Sequence, residues 1–133
     1  MNIKKRLFSG IVTTGLIVAM GVTMVQAGQY HLGYKTNVGA MGGNGFTTYQ
    51  RKAISGANGE LSSRFVGGDY TVDARMIDPD GSKGLWQRNI DDSTMYELDG
   101  HKEHKKGDSI CVQFSNHFFT FVDVQVSGTW KSN

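Results

Sequence analysis

Apolar and polar residues alternate with a period of two in several short stretches of this chain. Ile110, Val112 and Phe114 alternate with Cys111, Gln113 and Ser115; Val122, Val124 and Val126 alternate with Asp123, Gln125 and Ser127. Such alternation sends one set of side chains to each face of a pleated strand. Ser115-Asn116-His117 follows the first set, and Asn tolerates the left-handed backbone of hairpin turns. Asp108 to Trp130 therefore predicts a C-terminal hairpin. Phe118-Phe119-Thr120-Phe121-Val122 breaks the alternation and places large groups on both faces. This predicts a strand buried on both sides, with a segment that enters a membrane or a partner as the alternative.

The same period recurs upstream. Gln29 to Thr36 reads as a strand with Tyr30, Leu32 and Tyr34 on one face, and Asn37 to Asn44 as a glycine-rich loop. Gly45 to Ile54 is a weaker strand. Leu61, Ser63 and Phe65 share a face up to Gly67-Gly68, and Tyr70, Val72, Ala74 and Met76 share one in the next strand. Asp78-Pro79-Asp80-Gly81 has the residue order of a type I turn. With Leu85 to Ile90 after it, Tyr70 to Ile90 forms a second predicted hairpin. Asp91-Asp92-Ser93 caps a short helix ending at Gly100, or Thr94 to Leu98 forms a short strand; both fit. His101 to Lys106 is a polar, basic loop. Without a clean helical stripe anywhere, the expectation is an all-β fold: a single small antiparallel β-sandwich of about seven or eight strands.

The first residues differ in kind. Met1 to Arg6 is basic, and Leu7 to Val25 is apolar with Gly10, Gly15 and Gly21 within it. Val25-Gln26-Ala27 ends the run in the pattern that a signal peptidase accepts. The run is near the ~20 residues that span a bilayer, but its glycines and hydroxyl residues favour a signal peptide cleaved after Ala27 over a retained anchor. No Cys follows that would carry a lipid. The expected organisation is a signal peptide at 1–27 and a secreted domain at 28–133, extracellular or attached to the cell envelope. Removal of Lys4, Lys5 and Arg6 changes the net charge from +2 to −1, so the basic balance gives no reason to expect nucleic-acid binding. The single cysteine, Cys111, excludes an internal disulfide. It reads as a small buried hydrophobe, with pairing to another chain as the alternative. Few cysteines and the Lys-Lys-Arg start fit a Gram-positive source.

Candidate chemistry is thin. Asp78, Asp80, Asp91 and Asp92 offer oxygen ligands for calcium, but Lys83 stands where a further ligand belongs, and turn geometry accounts for the first two. His101 and His104 flank Glu103, yet their spacing is not that of helical zinc motifs; His31 and His117 would have to join them. Cys111 and His117 could mimic a catalytic pair, but they flank the same hairpin and Cys111 lies mid-strand rather than at a helix start that would stabilise a thiolate; no serine sits in a nucleophile elbow. The reading is a non-enzyme without cofactor or metal. The contact surface this sequence offers is His101, Lys102, His104, Lys105 and Lys106 together with Phe119 and Phe121. Its partner would be an anionic envelope polymer, a lipid surface or another protein.

The secretion signal, the spacing of aromatic and glycine-rich strands and the closing Val124-Gln125-Val126-Ser127-Gly128-Thr129-Trp130 resemble small secreted Bacillota proteins grouped as a domain of unknown function, DUF2712. The chain is also similar, more loosely, to the lactococcin-972-like bacteriocins. Those share a signal, a glycine- and aromatic-rich β-sandwich and a Gly-Thr-Trp near the mature start, whereas Gly128-Thr129-Trp130 lies near the C-terminus here. The second resemblance implies a secreted antimicrobial that acts on the envelope of competing bacteria. Neither implies a functional residue.

Overall fold

A computed structural model describes residues 30–133; the expected signal peptide at 1–27 lies outside the described residues. The alternating stretches form nine strands: β1 (Leu32–Val38), β2 (Asn44–Phe46), β3 (Gln50–Arg51), β4 (Gly59–Val66), β5 (Val72–Ile77), β6 (Gln87–Ile90), β7 (Thr94–Leu98), β8 (Ser109–Asn116) and β9 (Val124–Lys131). They build two antiparallel sheets, one ordered β1-β9-β4-β7 and the other β2-β8-β5-β6, with β3 also paired to β8. No helix forms among the described residues; Thr94–Leu98 takes the strand alternative. The fold is an all-β sandwich.

The hairpin from Tyr70 to Ile90 is present. β5 pairs with β6, and Gly81 donates its amide to the Asp78 carbonyl at 3.1 Å across the predicted turn. The C-terminal hairpin is not. β8 pairs with β5, β2 and β3, whereas β9 pairs with β1 and β4 in the opposite sheet. Alternation reports which face a residue takes, not which strand lies beside it. Residues 117–123 are therefore a crossover between two sheets packed about 10 Å apart.

The inner faces meet in one core. On the first sheet, cross-strand rows run Leu32–Trp130–Leu61–Tyr96, then Tyr34–Gly128–Ser63–Thr94, then Thr36–Val126–Val66. On the second, Ala74 faces Phe114 and Met76 faces Val112. Tyr34 and Phe114 join the layers, with ring centroids 5.2 Å apart. A register shift between Ser63 and Phe65 marks a bulge at Arg64. The extra residue flips the pleat, so Phe65 is exposed and Val66 is buried in its place. The expected sharing of a face by Leu61, Ser63 and Phe65 fails at that point.

Two polar residues from the stretch Gly45 to Ile54 lock the sheets together. Gln50, fully buried on β3, donates from Nε2 to the Trp130 carbonyl at 2.8 Å and accepts the Ser132 amide at 3.0 Å. Lys52 is also buried. Its Nζ donates to the carbonyls of Ala57 and, at 2.5 Å, Ser132. No carboxylate pairs with it among the described residues, and burial pushes its ammonium down from 10.5 to about 8. Between those pH values the unfolded chain holds a proton that the folded chain has released, so stability rises with pH in that window and the gain is absent below it. Relative to Lys52→Met, the urea midpoint of the native protein is expected to climb between pH 8 and pH 10, by a free energy on the order of 1–3 kcal/mol. Parallel profiles for the two proteins would disprove the assignment.

Candidate functional site

The structure separates the expected contact surface into two poles. β8 starts at the basic loop and ends at the phenylalanine segment; eight residues of strand hold these about 25 Å apart.

At the basic pole Lys102, Lys105 and Lys106 are exposed and His101 is partly covered. His104 is fully buried, which removes it from any contact surface. Its Nε2 donates to the Ser82 carbonyl at 2.8 Å, its amide bonds the His101 carbonyl, and its own carbonyl accepts the Gly56 amide. It thus ties three loops together. Its Nδ1 finds no partner. Asp78 and Asp80 sit beside the same turn. Burial and a hydrogen bond to Asp80 raise the Asp78 pKa, and that bond lowers the pKa of Asp80. Asp91 and Asp92 lie at the opposite pole, after β6, so the four calcium candidates do not converge. His31 lies against Glu60 and Thr129, and His117 against Asp73. Among the described residues no three His, Cys, Asp or Glu side chains gather as a metal site.

At the other pole Phe118, Phe119, Phe121 and Val122 are 67%, 79%, 68% and 48% exposed. The expectation of a strand buried on both faces is overturned. The cause is a well-bonded loop. Thr120, itself buried, donates its amide to the His117 carbonyl at 3.0 Å, and its carbonyl accepts the Met41 amide at 2.8 Å. Buried Asn116 braces the loop from below: its Nδ2 donates to the Val122 carbonyl and its Oδ1 accepts the His117 amide, each at 3.1 Å. With the polar groups turned inward, the rings are left outside. Phe118 and Phe119 meet edge to face, with centroids 5.3 Å apart. The neighbouring β1–β2 loop adds Met41, 55% exposed and held at a φ of +54°. Asp123 Oδ1 accepts the Ala40 amide at 3.0 Å and clamps the two loops together. The rim is acidic: Asp69, Asp91, Asp92 and Asp123 are all exposed at this end. Met41 was missed by the sequence reading, because pairing β1 with β9 is what brings its loop here.

Cys111 is 1% exposed and unpaired, and burial pushes its thiol up to about 11. It is about 20 Å along β8 from His117, so the two do not interact. At neutral pH the thiolate population falls roughly a hundred-fold below that of a free cysteine. Ellman's reagent is expected to leave native Cys111 unmodified over minutes and to react at once in urea; rapid native labelling would contradict this burial.

The chain matches no protein-family model, no curated protein and no solved structure.

Proposed function

We propose that this is a secreted, non-enzymatic protein that works by surface contact, and that the contact is the aromatic pole resting in the interface of a lipid membrane. The observation that carries this reading is the exposed cluster of Met41, Phe118, Phe119, Phe121 and Val122 on two hydrogen-bonded loops. A contiguous apolar patch on an otherwise well-packed domain marks an interaction surface, and aromatic rings suit the boundary between headgroups and acyl chains. The acidic rim supports neutral or zwitterionic lipid over anionic lipid. The lysine loop, at the far end, takes no part in this contact.

Purified mature protein is expected to co-sediment with phosphatidylcholine vesicles, with little dependence on salt and less binding when anionic lipid is added. The triple variant Phe118→Ser, Phe119→Ser, Phe121→Ser is expected to bind at least about a hundred-fold more weakly, at roughly 1 kcal/mol lost per ring. Its urea midpoint should stay within about 0.5 kcal/mol of the parent, because the rings are already in solvent. Undiminished binding by this variant would overturn the reading. A second reading, a bacteriocin-type antimicrobial, is favoured by the same rings, since aromatic side chains in a bilayer can disturb it. Dye release from the vesicles, with inhibition of neighbouring strains, would support that reading; binding without release would leave attachment as the activity.

A further inference from the structure

A cleft lies where the edges of the two sheets meet, away from the aromatic pole. Its volume is about 280 Å³, and Asn58, Leu85, Trp86, Gln87, Glu97 and Asp99 line it. That volume is just below the range of ligand sites, ~300 to ~1,000 Å³, and suits a single ring. Trp86 lines one wall. Its indole is held from outside the cleft lining by Arg75 and Arg88, whose guanidinium carbons lie 4.1 Å and 5.9 Å from the ring centroid. Arg75 is itself fixed by donation from Nε to Gln113 Oε1 at 2.8 Å, and Gln113 Nε2 donates to Asn44 Oδ1 at 3.1 Å. This chain of contacts costs the indole its rotamer freedom before any ligand arrives, which favours binding.

The polar lining is equally specific in kind. Asn58 Oδ1 accepts the Gly100 amide at 2.8 Å, which leaves its Nδ2 as a donor. Asp99 Oδ2 accepts the Leu85 amide at 3.2 Å, which leaves Oδ1 as an acceptor. Glu97 forms no ion pair among the described residues. Leu85, 74% exposed, adds apolar surface at the mouth. A flat apolar wall beside carboxylates and amides is complementary to a ring with C–H groups on its faces and hydroxyls around its edge. The lining carries two carboxylates, Glu97 and Asp99, while the guanidiniums of Arg75 and Arg88 against Trp86 lie outside it, so the charge a ring would meet inside the cleft opposes an anion.

We infer that this cleft binds a neutral sugar ring, stacked against Trp86, with its hydroxyls bonded to Asn58, Gln87, Glu97 and Asp99. The site is separate from the aromatic pole and does not depend on the membrane reading.

The test is titration of the mature protein with cellobiose, maltose, diacetylchitobiose and digalacturonate, followed by tryptophan fluorescence and calorimetry. At least one neutral disaccharide is expected to bind with Kd tighter than about 1 mM. Digalacturonate is expected not to bind. Trp86→Ala and Glu97→Gln should each weaken the interaction at least tenfold, while Phe119→Ser should leave it unchanged. Thermal unfolding of Glu97→Gln, which alters an exposed side chain, checks that its fold is intact. Failure of all three neutral sugars to bind would overturn the inference. So would equal binding of digalacturonate, or binding that survives Trp86→Ala.

Discussion

Truncating Trp130 to alanine is expected to cost about 3–5 kcal/mol of folding stability, read as a lowered urea midpoint. Trp130 is 1% exposed and is the largest of the fully buried side chains. It sits on β9, an inner strand of the first sheet, in register with Leu32 on one side and Leu61 on the other. Its carbonyl is the acceptor for Gln50. The loss therefore combines buried apolar area with a cavity that neighbouring strands, fixed by backbone hydrogen bonds, cannot fill by collapsing. A domain of this size has about 5–15 kcal/mol in total, so the variant should be marginal at room temperature. Trp130→Phe should lose much less. Equal midpoints for native protein and Trp130→Ala would mean that the inner row is not as packed as described.

Gly128→Val is expected to destabilise by about 3 kcal/mol or more, through overpacking rather than a cavity. A side-chain carbon at position 128 would stand 2.1 Å from the Ser62 carbonyl oxygen and 2.9 Å from Tyr34 Oη. The Tyr34 ring occupies the space that a larger residue would need. Its buried hydroxyl has a pKa raised to about 12; Ser63 lies close enough to offset a little of this, without reaching hydrogen-bond geometry. Relief by a second change, Tyr34→Phe, should be small, because the nearest obstacle is backbone. Strong rescue by Tyr34→Phe would show that the tyrosine hydroxyl, and not β4, sets the limit.

Faces were legible in the sequence; neighbours were not. Val72, Ala74 and Met76, and Ile110, Val112 and Phe114, are all fully buried as their alternation implies. The Asp78 to Gly81 turn was legible because its chemistry is local. The pairing of β9 with β1 and β4 depends on strands far away in sequence, and no local pattern encodes it. Phe65 was misplaced because a one-residue bulge leaves the spacing of residue types unchanged. The phenylalanines of the crossover were misplaced for a different reason: Asn116 and Thr120 satisfy that backbone from below, which periodicity cannot register. His104, Lys52 and Gln50 are polar residues that became interior fasteners, and composition alone assigns such residues to solvent. Of the candidate surface, Phe119 and Phe121 have an exposed setting, Lys102, Lys105 and Lys106 are exposed at the other pole, and His104 drops out.

The separation of the two poles has a consequence for orientation. β1 enters the sandwich beside the end of β9, at the lysine-bearing pole, because Leu32 is in register with Trp130. A molecule gripped through that entry strand presents its phenylalanines outward. A molecule seated on its phenylalanines presents its lysines outward. The same domain thus has opposite signs of display depending on which end is held, the two ends standing about one strand length apart.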